Sequence, residues 1–233
     1  LSLGFSDAVG LLSSGDPVFW QIVGRSLEVT VLAVLSAALL ALPLGAALAL
    51  HRFPGRGALL VLLNTLMGFP PILAGLFIYL MLSRSGPLGF LGLLYTPKAM
   101  IAAQALLAFP IILALARQTI EDLWLEYEEH LRAWGSSPLR AIPTLLWEGR
   151  YSLLTAVLAG LGRAAGEVGA VLIVGGNIAG YTRTMTTTIA LETSKGDLPL
   201  AVGLGLVLLF VMLLVNSAIL FLSRLGTWIE ARA

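Results

Sequence analysis

Five stretches of this chain, 19–50, 58–82, 98–116, 151–176 and 199–222, run for about twenty residues or more with almost no charge. A helix of ~20 apolar residues crosses the ~30 Å hydrocarbon core of a bilayer. A soluble core of 233 residues has no room for so much apolar side chain. Charged residues make up 12% of the chain and hydrophobic ones 58%, whereas soluble domains carry ~25% charge. The expected fold class is an all-α membrane protein with about five transmembrane helices in a single domain over 1–233. No second soluble domain fits, and no inverted internal repeat of the kind built into many secondary transporters is visible.

Punctuation refines the spans. Pro43 removes a backbone donor late in the first run and predicts a kink. Pro70-Pro71 predicts a bent or broken helix in the second, which a membrane tolerates where neighbours satisfy the freed carbonyls. Residues 83–97, rich in Gly and Pro, read as a loop, with a shallow re-entrant character over Leu88 to Leu94. Residues 177–197 read as a polar loop rich in Thr, and the chain ends in a short amphipathic tail.

Arg52, Arg56, Arg117, Arg132, Arg140, Arg150, Arg224 and Arg232 fall on one side of the five spans. Arg84, Lys98, Arg183 and Lys195 fall on the other. The positive-inside bias places the larger set in the cytoplasm. The protein is therefore expected in the cytoplasmic (inner) cell membrane, multi-pass, with its N-terminus outside and its C-terminus inside. Leu1 to Gly15 has no basic leader region and does not read as a signal peptide. The sequence begins at Leu1, and the true start is expected to lie before it.

Several chemistries are excluded. There is no Cys, so neither a disulfide nor a thiolate metal site is possible. His51 and His130 lack ligand spacing, and no His/Cys/Asp cluster suggests metal catalysis. The net charge of +1 includes no basic run for nucleic acid. No Ser-based nucleophile motif is present. The chain has no phosphate-binding Gly-x-x-x-x-Gly-Lys-Ser/Thr loop, so ATP chemistry would need another subunit.

The polar stretch Arg117 to Arg150 is too charged to cross and too patterned to be a linker. Glu121 to Trp134 predicts a helix, ended by Gly135 as a C-cap glycine ends one. Ser137 as N-cap and Pro138 at the first helical position predict a second helix. The product is a helix–turn–helix standing off the cytoplasmic face. It is either a solubilising loop or a rigid, apolar-faced element that needs a partner to cover it. Glu129 lies six residues before Gly135, and the aliphatic segment Ile142 to Leu146 follows. This spacing resembles the cytoplasmic "EAA" loop of the permease subunits of ATP-binding-cassette importers. His130 and Leu131 stand where that family has two alanines, and Leu146-Trp147 stands where it has Leu-Pro. The resemblance implies a type I importer permease fold whose coupling loop, about 118–149, docks an ATPase subunit. It assigns that role to Glu129, Trp134, Gly135, Ser137 and Leu139.

Residues 160–169, Gly-Leu-Gly-Arg-Ala-Ala-Gly-Glu-Val-Gly, mimic a dinucleotide fingerprint but sit inside an apolar run expected to be one membrane helix. Gly162/Gly166 and Ala165/Gly169 are small pairs four apart that let helices approach closely. Arg163 and Glu167 are also four apart and can pair on one face. Ionised groups in a membrane either lock helices together or line a pathway, and both readings stay open here. Asn64 and Gln104 read as interhelical hydrogen-bonding residues.

Gly-Glu-Val-Gly-Ala (166–170), Gly-Gly-Asn-Ile (175–178), Gly-Tyr-Thr-Arg-Thr (180–184) and Ile-Ala-Leu-Glu-Thr-Ser-Lys-Gly (189–196) resemble the tungstate permeases of the molybdate and sulfate permease superfamily. With the cytoplasmic loop, the resemblance covers most of the chain from Arg117 onward. It implies a permease for tungstate that works by alternating access as a homodimer in membrane lipid. The implied partners are an ABC ATPase, which carries ATP and Mg, and a periplasmic or lipid-anchored oxyanion-binding protein. No cofactor is expected on this chain, which is not itself an enzyme. Arg163, Glu167 and Asn177 are assigned to the translocation path or to helix pairing, and Thr182, Arg183 and Thr184 to the outer anion or binding-protein face. The bland alternative for the latter is a polar loop without ligand contact. The alternatives for the whole are a molybdate or sulfate permease, or a non-transport membrane protein with a partner-docking hairpin.

Overall fold

The structure is a computed structural model, and it describes residues 15–133 and 135–230, with side chains as far as residue 222. Helix α1 (Pro17–Leu50) starts where Asp16 accepts the Val18 N–H at 2.8 Å and Pro17 fits the first helical position. Its 34 residues measure about 50 Å. Pro43 lies inside it without ending it. The chain then forms α2 (Arg56–Met67), α3 (Pro71–Leu82), a short 3₁₀ turn (Gly89–Leu91) and α4 (Pro97–Ala133). A second 3₁₀ turn (Pro138–Ala141) leads into α5 (Ile142–Glu148), α6 (Arg150–Ala165), α7 (Gly169–Gly175), α8 (Met185–Lys195) and α9 (Leu198–Glu230).

Three of these helices, α1, α4 and α9, are long and apolar enough to cross alone. The α2–α3 pair bends by 104° and the α6–α7 pair by 65°. The bend at Pro70-Pro71 is where the proline pair predicts it. The bend at 166–168 departs from the expectation of one continuous helix. Gly166 weakens the helix there, and the Glu167 carboxylate takes the Ala170 N–H at 3.0 Å, an alternative to helical bonding.

The order of the core layers fixes the crossings; the end that the Lys/Arg bias predicts to face outward is called outer here, and the opposite end inner or cytoplasmic. An outer layer joins Val29 of α1 to Ala74 of α3, to Ala99, Met100 and Ala103 of α4, and to Ala170 and Val174 of α7. A middle layer joins Val34 to Ala41 with Leu63 of α2, Ala108 to Leu113 of α4, and Ala164 of α6. An inner layer joins Ala46 to Ala116 and Ile120 of α4, Leu145 of α5 and Leu153 of α6. Helices α1 and α4 therefore run parallel, and α6–α7 runs antiparallel to both. Since α1 ends at one face and α4 begins at the other, α2–α3 must carry the chain across despite its bend. Near the outer end, Phe19, Ile22 and Val23 of α1 meet Met185 of α8 and Leu204 of α9. Five crossings result.

Small residues set the spacing. A Cβ on Gly45 of α1 would come within 2.9 Å of the Leu113 carbonyl oxygen, and one on Gly75 of α3 within 2.6 Å of the Ala170 Cα. Such backbone contacts are how membrane helices associate without a hydrophobic drive between them. Large apolar side chains such as Leu39, Leu40, Phe210 and Leu213 remain exposed, facing what would be lipid or partner.

Three further expectations are corrected. The third span and the first helix of the cytoplasmic stretch are one continuous α4 of 37 residues, because no breaker stands between Ala116 and Ala133. Residues 177–197 are not simply a loop, since they hold α8, started by a capping box between Thr184 and Thr187. The fifth run does not stop at Leu222, since α9 continues to Glu230. The reading of Leu1 to Gly15 falls, except for Gly15, outside the described residues.

Candidate functional site

At the cytoplasmic end, Gly135 has φ +74, a conformation that favours glycine. Its N–H bonds the Arg132 carbonyl at 2.9 Å and the Ser136 N–H bonds that of Leu131 at 3.0 Å, a Schellman-type closure of α4. The Ser137 hydroxyl makes no capping bond, contrary to expectation. Its carbonyl instead accepts the N–H groups of Arg140 and Ala141, and Pro138 sets the start of the turn. The second helix of the hairpin thus begins as 3₁₀ and becomes α only at Ile142.

The hairpin is anchored. Leu131, Ala141 and Leu145 are buried against the inner ends of α1, α4 and α6. Glu121 pairs with both Arg56 and Arg117, tying α4 to the start of α2. Glu129, Gly135, Ser137 and Leu139 all lie on the exposed side, and Trp134 lies outside the described residues. Leu125 is 76% exposed and Trp147 71%, a large apolar area to leave in water. A concavity of about 360 Å³ between α4 and α5 is lined by Tyr127, His130, Leu131, Thr144, Leu145 and Glu148. Two of its polar members, His130 and Glu148, were assigned no role from the sequence.

Inside the membrane the two helix breaks adjoin. A Cβ on Gly169 would lie 3.0 Å from the Ile72 side chain and 3.6 Å from the Glu167 carboxylate. Arg163 and Glu167 pair at 3.0 Å, with Glu167 buried at 4% exposure and Arg163 more open at 28%. Glu167 serves twice, holding the guanidinium with one oxygen and the N-terminal turn of α7 with the other. Thr186 donates to the Glu167 carbonyl at 2.8 Å, which fixes α8 to this break. Gln104 donates to the Ala164 carbonyl at 3.1 Å, in keeping with its reading as an interhelical donor, while its Oε1 is buried without a partner. Asn64 is exposed on α2 and shows no such bridge among the described residues. Gly68, Pro70 and Gly166 expose irregular backbone at this depth, which lipid does not accommodate. Asn177 (φ +50) lies at the far end of α7, roughly 10 Å of helix away, so it does not join the pair.

On the outer side, Thr182 is fully buried. Its hydroxyl donates to the Gly175 carbonyl at 2.6 Å and accepts the Ile178 N–H at 2.9 Å. Thr184 is spent on capping α8, and Thr186, Thr187 and Thr188 are likewise bonded within the chain. The threonines therefore build the loop and do not face outward. Arg183 stands between Thr182 and Thr184, half-buried, and Lys195 pairs with Glu192.

No family model matches the chain. It is 42% identical over 221 residues to the tungstate uptake system permease protein TupB of Peptoclostridium acidaminophilum, covering 95% of this chain and 97% of that one. A probable anion ABC transporter permease protein of Haloferax volcanii is 39% identical over 84% of this chain and 87% of its own length. The tungstate uptake system permease protein TupB of Campylobacter jejuni is 40% identical over 67% of this chain and 65% of its own. Sulfate and molybdenum transport permeases match at lower identity, 31% and 26%.

Proposed function

Since the chain belongs to the permease subunits of ATP-binding-cassette importers, among the tungstate uptake permeases, we propose that it forms the membrane path for tungstate uptake. The observation that carries this reading is end-to-end similarity at 42% identity, including the cytoplasmic hairpin and the outer loop. Five crossings from one chain are too few to enclose a gated path over two ATPases, so the working unit is a homodimer with the path at its twofold interface. The exposed broken backbone at 68–70 and Gly166 supports that placement, because it requires protein or water beside it. The Lys/Arg bias supports an N-terminus outside and a C-terminus in the cytoplasm.

The hairpin passes ATPase closure to the spans. A partner ATPase holds ATP and Mg and docks on the exposed face around Glu129, Gly135 and Leu139, where Leu125 and Trp147 add apolar contact. Because Leu131, Ala141 and Leu145 tie the hairpin to the inner ends of α1, α4 and α6, a push on it moves those helices as a body. The cytoplasmic gate then shuts while the outer face opens to a loaded binding protein, and hydrolysis resets the cycle. The permease makes weak contacts with the anion, since tight ones would block release. Selectivity resides mainly in the binding protein.

The test is ATPase activity of the permease reconstituted in liposomes with its ATPase and binding protein, with tungstate, molybdate and sulfate added in turn. Stimulation by tungstate alone is expected. Equal stimulation by molybdate or sulfate would move the substrate to the broader oxyanion group, to which the more distant relatives belong. Gly135→Val or Glu129→Ala should abolish ATPase docking while membrane insertion stays intact, and normal recovery of ATPase with both variants would refute the coupling role.

A further inference from the structure

Next to the outer loop, Val18, Gln21, Ile22 and Arg25 of α1 and Ala179 to Tyr181 and Arg183 line a small cavity. Its volume is about 40 Å³, room for about three water-sized groups at ~10–15 Å³ each. Two arginines from different parts of the chain, Arg25 and Arg183, are among the residues that line it. Arg25 pairs with Glu28 at 2.7 Å, and Glu28 is 52% exposed. Arg183 has no ion pair among the described residues, and its Nε is buried without a hydrogen-bond partner. The charged residues of the lining are both arginines, and Arg25 shares its charge with the Glu28 carboxylate. A buried guanidinium nitrogen without a partner is costly unless an acceptor arrives.

Two neighbouring loop carbonyls are already engaged. The Ile178 carbonyl already takes the N–H groups of Tyr181, Thr182 and Arg183 at 3.0–3.1 Å. The Gly180 carbonyl takes the Gln21 side chain at 3.3 Å, which ties the loop to α1. Thr182 and Thr184, on either side of Arg183, are buried and bonded within the chain, so the loop holds the arginine from both flanks. The planar donor fork of arginine matches two oxygens of a tetrahedral oxyanion.

We propose that Arg25 and Arg183 form an anion-receiving station at the outer mouth, which takes a tetrahedral oxyanion before it enters the path. The proposal rests on the reading of the chain as an oxyanion permease. It adds Arg25 and the α1 face to that reading, and it assigns the outer threonines to building the loop. The cavity is shallow and half its charge is shared with Glu28, which suits a station that must release its ion.

The absence of cysteine makes a direct test possible. Val18, 61% exposed on the cavity rim, is replaced by Cys in the otherwise unchanged permease, assembled with its ATPase in proteoliposomes. Labelling rates with anionic and cationic thiol reagents of equal size are compared, without and with tungstate, molybdate or sulfate. The anionic reagent should react about tenfold faster, as a focused positive field dictates, and oxyanion should slow it in a concentration-dependent way. Arg183→Gln and Arg25→Gln should each erase the preference and the protection and depress binding-protein-dependent uptake. Arg183→Lys, which keeps the charge and loses the fork, should retain the preference with weaker protection. Equal reagent rates, or no protection by any oxyanion, would overturn the station. So would full uptake by both Gln variants, which would leave the transport reading standing. Protection intact with no uptake of any oxyanion would sink the transport reading and keep the station.

Discussion

Glu167 is the residue on which the inside of this membrane protein depends most. It is buried, balances Arg163, and caps the half-helix that begins after the second break. Glu167→Ala leaves a guanidinium unpaired and one α7 donor, the Ala170 N–H, without its acceptor. The expected loss is on the order of 2 kcal/mol, below the ~3–5 kcal/mol of a fully buried pair, because Arg163 is 28% exposed. Thermal denaturation of the detergent-solubilised complex measures it, and Glu167→Gln, which keeps one acceptor oxygen, should lose less. Gly75→Ala drives a methyl to 2.6 Å from the Ala170 Cα and should cost about 1–3 kcal/mol by overpacking. The same measurement checks it, with Gly57→Ala, where a Cβ meets nothing within 4 Å, as the neutral comparison. The Arg163–Glu167 pair was legible, because spacing alone puts residues four apart on one face. The break between them and α7 was not. Spacing assumes a continuous helix, and only the competition of the Glu167 carboxylate for the Ala170 N–H shows that the helix stops.

At the scale of elements, the cytoplasmic hairpin was the most readable part of the chain, since Gly135 and Pro138 punctuate it by fixed backbone preferences. What the sequence hid is that the hairpin's first helix is the last third of a membrane span. The polarity change at Arg117 marks where lipid ends, and it does not mark where the helix ends. A change of solvent leaves the backbone bonds of α4 untouched. The outer loop misled for a related reason. Five hydroxyl side chains in 182–188 look like ligands, yet each satisfies a donor or acceptor of the chain itself, as buried groups must. The continuity of α4 has a consequence for coupling. Glu121 joins Arg117 on α4 to Arg56 at the start of α2, so a force entering at the hairpin reaches the bent span as well as its own helix. Glu121→Ala should weaken the association of the ATPase about fivefold, the ~1 kcal/mol of a small, partly exposed charge network. It should also speed limited proteolysis at residues 51–55. A binding titration and a proteolysis time course read the two effects, and no change in either would remove the network from the coupling route.

For the whole molecule, the decisive question is whether the bent pairs cross the membrane or return to the face they left. Helix length gives three crossings or five. The packing layers decide for five. Val29 meets Ala99 to Ala103 in the outer layer, and Ala46 meets Ala116 and Ile120 in the inner one. Parallel α1 and α4 can be joined only by a segment that itself traverses, so 51–55 and 83–97 lie on opposite faces. A re-entrant α2–α3 would have put them on the same face and made α1 and α4 antiparallel. The natural absence of cysteine lets single Cys substitutions decide this in membrane vesicles of known sidedness. Ser85→Cys and Ser194→Cys, at exposed positions in the outer segments, should react with an impermeant reagent from outside. His51→Cys, exposed between α1 and α2, should react only after the membrane is opened. Labelling of His51→Cys and Ser85→Cys from one side would make α2–α3 re-entrant. The exposed broken backbone at 68–70 would then belong to a loop dipping from one face, and a path passing beside it from face to face could not be maintained.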